Sequence, residues 1–198
     1  MGTPDLVYDH RTIADLSQAV ADSIKGSPIK LDGLIGNLNG GLVPVALVAV
    51  MTGLPIIGLM QTKRYPGTTR DAVLPPVLLR RIEPHLVAGM AVGLIDDVGD
   101  ELLSADCCVG HLKECGARHI QTGVLDWKPT KSKVPGFVPD HVARVHEGTP
   151  PWIHYGPWED DGATHERALW EFVEQGYVPA SYAQQIVTLL RVSPQVAS

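Results

Sequence analysis

Gly93-Leu94-Ile95-Asp96-Asp97-Val98-Gly99-Asp100 decides how this chain folds and where its chemistry sits. An apolar run ends abruptly in two adjacent acids, and a third acid follows three residues later. Val92, Leu94 and Ile95 read as the end of a buried strand. Gly99 loosens the backbone before a helix-like segment that begins near Leu102. In open α/β sheets, ligands bind outside the carboxyl ends of the strands. Asp96, Asp97 and Asp100 therefore stand where such a fold places its ligand. Adjacent residues at a strand end point in different directions, so Asp96 and Asp97 can grip two sugar hydroxyls, or one of them can hold magnesium through water. Asp100 lies across the same loop and can serve as a general base if it faces the ligand.

Working outward, the periodicity predicts a helix over Thr12–Lys25, a strand over Leu31–Gly36 and a helix over Leu42–Met51 with Pro44 in its first turn. Strands follow at Pro55–Met60, Met90–Ile95 and His119–Asp126, with a helix at Leu102–Cys115 between the last two. Gln61–Pro76 is a long polar loop with extended structure at Ala72-Val73-Leu74. Lys128–Val138 reads as a Pro- and Lys-rich connection, Trp152–Trp158 as extended, and Thr164–Gln175 and Ala180–Val192 as closing helices. Alternation of this kind implies a parallel sheet covered by helices on both faces. The expected organisation is one α/β domain over residues 1–160 and a helical extension over 161–198. The apolar faces of the closing helices pack on the sheet or build an interface, and a homodimer is the expected assembly.

The chain has 198 residues, 44% hydrophobic and 19% charged, with a net charge of −6, the balance of an ordinary globular protein. No basic block is present, so phosphate-driven binding to nucleic acid is not expected. The amino terminus lacks a basic flank leading into an apolar core, and the longest apolar run, Leu42–Met51, is too short to span a bilayer. Cys107, Cys108 and Cys115 are odd in number and lack metal-ligand spacing, so they read as small buried thiols. A cytoplasmic protein is the simplest expectation.

Two further constellations carry chemistry. Asn37-Leu38-Asn39-Gly40-Gly41-Leu42-Val43-Pro44 places paired glycines between a strand and a helix, where the backbone can approach an anion closely. Trp127-Lys128-Pro129, with Trp152-Ile153 and Pro157-Trp158-Glu159, offers aromatic and aliphatic surfaces for a flat base and a lysine to donate to its carbonyl.

Together these segments, in this order, resemble the type I phosphoribosyltransferases, and most of all the 6-oxopurine branch that handles xanthine, guanine and hypoxanthine. The resemblance covers roughly Asp9 to Glu159. It implies that Asn39, Gly40 and Gly41 form the pyrophosphate loop and that Asp96 and Asp97 hold the ribose hydroxyls, directly and through Mg2+. It implies that Asp100 is the general base near N7 of a purine and that Glu159 belongs to the metal or water shell. Lys128 would read the 6-oxo group, Trp152 and Ile153 would flank the base, and Gln61–Pro76 would close over the reacting centre.

The chain departs from that family at both phosphate subsites. Where the family continues after its third acid with Thr-Gly-x-Thr, this chain has Glu101-Leu102-Leu103-Ser104, and only Ser104 keeps the hydroxyl. Glu101 adds a negative charge where a 5′-phosphate would sit, and like charges about 4 Å apart repel by about 1 kcal/mol in water and by several in a cleft. The basic residue usual before Gly-Gly is Asn39, which leaves Lys63, Arg64 or Arg70 to supply a cation from the loop. Three readings stay open: a phosphoribosyltransferase with rebuilt anion sites, an enzyme acting on a nucleoside-like ligand, and a non-catalytic sensor of nucleotides or bases.

Overall fold

The computed structural model describes residues 6–63, 75–159 and 164–191. In chain order these form β1 (Leu6–Tyr8), α1 (His10–Gly26), β2 (Gly33–Leu38), α2 (Leu42–Thr52), β3 (Ile56–Lys63), β4 (Val77–Arg80), α3 (Pro84–Val87) and β5 (Ala91–Gly99). They continue with α4 (Leu103–Glu114), β6 (His119–Trp127), a 3-10 turn (Pro129–Lys131), β7 (His141–Val145), β8 (Ile153–Tyr155), α5 (Gly156–Glu159), α6 (His165–Glu174) and α7 (Ala180–Arg191). The main sheet has six strands in the order β4-β3-β2-β5-β6-β7, all parallel except β4, and a separate two-stranded parallel sheet joins β1 to β8. This is the α/β, helix-flanked parallel sheet expected from the alternation of segments.

Local chemistry accounts for the elements. The Asp9 side chain accepts a hydrogen bond from the Thr12 N–H at 2.8 Å and caps α1, which is why the helix starts earlier than its apolar periodicity suggests. Its inward face, Ile13, Leu16, Val20 and Ile24, is buried against the sheet. Helix α2 has no polar face, and Leu42 through Ala49 are all buried, because sheet, α1 and the closing helices surround it. Each large aliphatic side chain there contributes about 1.5–3 kcal/mol on burial. Thr164 caps α6 by accepting from the Arg167 N–H at 3.1 Å.

Several segments differ from the sequence-based expectation. β1, β4 and α3 were not anticipated, and the stretch expected to be extended over Trp152–Trp158 is a strand only at Ile153–Tyr155 before it turns into the short helix α5 at Gly156–Glu159. β5 runs on through Asp96 and Asp97 to Gly99, because β6 continues to pair with it as far as Trp127. The connection after β6 contains a further strand, β7, whose partly exposed face hides its periodicity. Helices α6 and α7 place Ala168, Leu169, Phe172, Ala183, Ile186 and Val187 in the same core as α1 and α2. Phe172→Ala is therefore expected to lower unfolding stability by about 3–5 kcal/mol, read by urea denaturation. A loss below ~1 kcal/mol would detach the closing helices from the core.

Candidate functional site

The connections leave β2 toward β3 and β5 toward β6, in opposite directions, so the gap between β2 and β5 is the switch point of the sheet. Pairing between β2 and β5 ends at Gly36 opposite Ile95, and the next residues of each strand diverge. Asp96 and Asp97 occupy that opening from one side and the Asn37–Gly41 turn from the other. The two sides touch. Asn37 Nδ2 donates to Asp96 Oδ2 at 2.5 Å, and Asn37 itself is 3% exposed. A Cβ on Gly40 would collide with the Asp97 carboxylate, and one on Gly41 would collide with the carbonyl oxygens of Ile95 and Asn37. Both glycines are thus required by close approach, and the turn contains a cis peptide between Leu38 and Asn39. Asn39 Oδ1 accepts from Gln61 Nε2 at 3.0 Å, which ties the turn to β3.

Burial raises the Asp96 carboxyl well above the usual carboxylate range, helped by the neighbouring Asp97 charge. Burial, with the nearby charge of Glu159, pushes Asp97 up to about 6, although the Val98 N–H donates to Asp97 Oδ1 at 2.7 Å. Two adjacent acids are therefore held in a place that penalises their double negative charge.

Beyond them lies a cavity of about 180 Å3 lined by Asp96, Asp97, Asp100, Glu101, Leu102 and Ser104 among others. Leu102 holds φ 60°, a left-handed conformation that glycine adopts freely and leucine does not. Its buried side chain, 5% exposed, offsets that cost by packing over Gly99. So the backbone curl that a glycine would allow is kept with leucine in place. Glu101 Oε1 pairs with Lys133 Nζ at 2.6 Å, and Asp100 Oδ2 lies 3.7 Å from Lys131 Nζ. Asp100 Oδ1 is buried and has no hydrogen-bond partner among the described residues.

The base-reading candidates also meet. The Lys128 N–H donates to the Gly99 carbonyl at 2.9 Å, and its ammonium lies 5.9 Å from the centroid of the Trp152 ring. Lys128 is 3% exposed and burial lowers its pKa, whereas Trp152 is 43% exposed. Ile153 does not join them: at 4% exposure its side chain belongs to the main core. Glu159 pairs with His154 at 3.2 Å and accepts from the Tyr155 N–H at 3.3 Å. Lys63 ends β3 with an exposed side chain, while Arg64 and Arg70 lie outside the described residues.

No group of three or more His, Cys, Asp or Glu among the described residues is placed to hold a metal ion. Glu159 therefore does not complete a protein cage with Asp96 and Asp97. Mg2+ needs none, because it binds through one or two carboxylates together with substrate phosphates. The crowded Asp96–Asp97 pair fits that use, since a divalent cation would relieve its repulsion.

Sequence reading missed the cations Lys131 and Lys133, which it placed in a mere connection. Their spacing with Lys128 was the available signal. It also missed Asn37 as the partner of Asp96. Among the described residues no helix is long and apolar enough to cross a membrane, and all three cysteines are free thiols.

No family model matches the sequence, and no curated protein matches it. Solved structures do. A purine phosphoribosyltransferase from Pyrococcus horikoshii Ot3 is 26% identical, with a TM-score of 0.64 over 79% of this chain and 95% of that one. A hypothetical protein from Neisseria gonorrhoeae with bound ppGpp is 21% identical, with a TM-score of 0.69 over 86% and 98%. The Helicobacter pylori xanthine-guanine-hypoxanthine phosphoribosyltransferase is 16% identical, with a TM-score of 0.60 over 79% and 95%. The chain has the type I phosphoribosyltransferase fold.

An acid whose pKa is raised by folding holds its proton more tightly in the folded state, so stability is greatest below the unfolded value and is lost as pH rises through the folded one. For Asp97 that window runs from 3.8 to about 6. Asp97→Asn is expected to raise the melting temperature by a few degrees at about pH 7.5 and to change it little at about pH 4. Thermal melts at the two pH values check this, and an equal shift at both would mean that charge is not the cause.

Proposed function

We propose that this chain transfers a phosphoribosyl group between phosphoribosyl pyrophosphate and a purine-like base. The observation that carries the reading is the buried Asp100 oxygen without a hydrogen-bond partner among the described residues, directly after the end of β5 that carries Asp96 and Asp97 and next to Gly99, whose carbonyl accepts from Lys128. The likeness to purine phosphoribosyltransferases supports phosphoribosyl transfer in general terms, and the Lys128–Trp152 pair supports a flat base that carries a carbonyl.

Each residue has a part in that reaction. Trp152 provides an exposed ring for the base to lie against, and the buried Lys128 donates to a carbonyl on it. Asp100 Oδ1 accepts the proton that the base must lose as its ring nitrogen bonds to the anomeric carbon. Pyrophosphate leaves from that carbon with the bonding pair. Asp96 and Asp97 accept hydrogen bonds from the ribose hydroxyls, and the Asn39–Gly41 turn presents its backbone to the departing pyrophosphate. Mg2+ held by Asp96 and Asp97 would supply positive charge for the leaving group. A homodimer in the cytoplasm belongs to the same reading, and light scattering on the purified protein reads the assembly.

A second reading is favoured by one observation: four carboxylates and the Leu102 side chain line the cavity that would take the 5′-phosphate. A neutral hydroxyl suits that lining better than a dianion, so a nucleoside-like ligand is the alternative. In the first reading, Lys131 and Lys133 turn from the acids to the phosphate when it arrives.

Turnover decides the role of Asp100. With phosphoribosyl pyrophosphate, magnesium and guanine, hypoxanthine or xanthine, the protein is expected to release pyrophosphate, and Asp100→Asn is expected to lower kcat about 100-fold or more with the fold intact. Activity retained in that variant would remove Asp100 from the mechanism. Replacing Glu101-Leu102 by Thr-Gly is expected to tighten phosphoribosyl pyrophosphate binding about tenfold, the size of a ~1.4 kcal/mol change. Unchanged affinity would place the anion site elsewhere. Because the Neisseria gonorrhoeae neighbour carries ppGpp, that nucleotide belongs among the ligands tried.

A further inference from the structure

Asp126, at 0% exposure, is a buried acid that the reaction above does not use. It lies in β6 directly opposite Val98 of β5. Three side chains from distant parts of the chain converge on its carboxylate. Tyr8 of β1 donates to Oδ1 at 2.9 Å, His146 Nε2 lies 2.6 Å from the same oxygen, and the Tyr155 hydroxyl of β8 lies 3.0 Å from Oδ2. Arg144 Nη1 donates to the Tyr8 oxygen at 2.7 Å, which orients the Tyr8 proton toward Asp126. A carboxylate can only accept, so the facing His146 nitrogen carries a proton.

The Tyr155 hydroxyl has a second acceptor. It lies 3.1 Å from the carbonyl oxygen of Asp97, so one phenolic proton is shared between Asp126 and the backbone of the acid pair. The rest of the ring is fixed by stacking on Trp158 at 5.0 Å and by an edge contact with Tyr8 at 5.5 Å. Among the described residues, strands β1 and β8 pair with each other and lie outside the six-stranded sheet. The two tyrosines, one from each of these strands, therefore tether that small sheet to the strand ends that carry the site. Trp152 immediately precedes β8, and Lys128 follows Asp126 by two residues.

We propose that Asp126, acting through the Tyr155 hydroxyl, is a positioning residue that fixes the Asp97 backbone against the base-binding segment. The proposal deepens the transfer reading above in naming what holds the sugar and base subsites together, and it stands on contacts that need no ligand. A group that merely stabilised the fold would act on Asp97 no more than on any other part of the molecule. Tyr8 and Tyr155 separate the two cases, since both bond Asp126 and only Tyr155 reaches β5.

The test compares Tyr155→Phe with Tyr8→Phe, with Asp126→Asn as a further variant, by amide hydrogen exchange on the full chain without ligand. Tyr155→Phe is expected to speed exchange in the peptide spanning Asp96–Asp100 by about tenfold, and Tyr8→Phe by less than about twofold there. Asp126→Asn is expected to follow Tyr155→Phe. Exchange in that peptide unchanged by Tyr155→Phe, or raised equally by Tyr8→Phe, would overturn the proposal. The same variants are then titrated with phosphoribosyl pyrophosphate and magnesium, where Tyr155→Phe is expected to weaken binding about tenfold and Tyr8→Phe to leave it within about twofold. A wild-type protein that binds none of it, with the exchange pattern as expected, would remove the transfer reading and leave the positioning role standing.

Discussion

Two adjacent carboxylates buried at the opening between β2 and β5 constrain everything around them. Burial and mutual repulsion hold Asp96 and Asp97 above the ordinary carboxylate range, and the surrounding chain is arranged to tolerate them. Asn37 donates to one, the Val98 amide donates to the other, and Gly40 leaves room for the Asp97 side chain where any Cβ would strike it. The arrangement is intelligible as a place prepared for hydroxyls and a cation. It is poor design for stability alone, because a buried pair of like charges costs more than apolar residues of the same volume.

The neighbouring phosphate-type subsite follows a different compromise. Leucine occupies a left-handed position where glycine would be free of strain, and its burial over Gly99 offsets the backbone cost. Glu101 adds charge to a cavity already lined by acids, and Lys133 balances it from the segment after β6. The turn thus combines a left-handed backbone at Leu102 with a largely acidic cavity lining. Whether the lysines serve the acids or an incoming phosphate is a question about ligand charge, which makes it answerable by binding.

Much of this was legible in the chain. The abrupt change from Val92–Ile95 to Asp96-Asp97 marks a strand running out of its sheet, and the alternation of segments on either side leaves few topologies other than a helix-covered parallel sheet. The structure sets the turn glycines against the acid pair and brings Lys128 to 5.9 Å from the Trp152 ring, two meetings for which the sequence offered only the order of its segments. Ile153 misled because an aliphatic residue beside a half-exposed tryptophan reads equally well as core, where it in fact lies. β7 escaped notice because its outer residues are partly exposed and its apolar pattern is short. Asp126 was invisible for a deeper reason. Its partners Tyr8, His146 and Tyr155 are spread along the whole chain, and only the pairing of β1 with β8 brings the two tyrosines to one carboxylate.

In the proposed function these acids serve a phosphorylated ribosyl ligand together with magnesium. Calorimetric titration of the purified protein with phosphoribosyl pyrophosphate, with and without magnesium and beside guanosine, tests it most directly. Saturable binding of phosphoribosyl pyrophosphate that requires magnesium is expected. Binding of guanosine with no response to phosphoribosyl pyrophosphate at any magnesium concentration would contradict it.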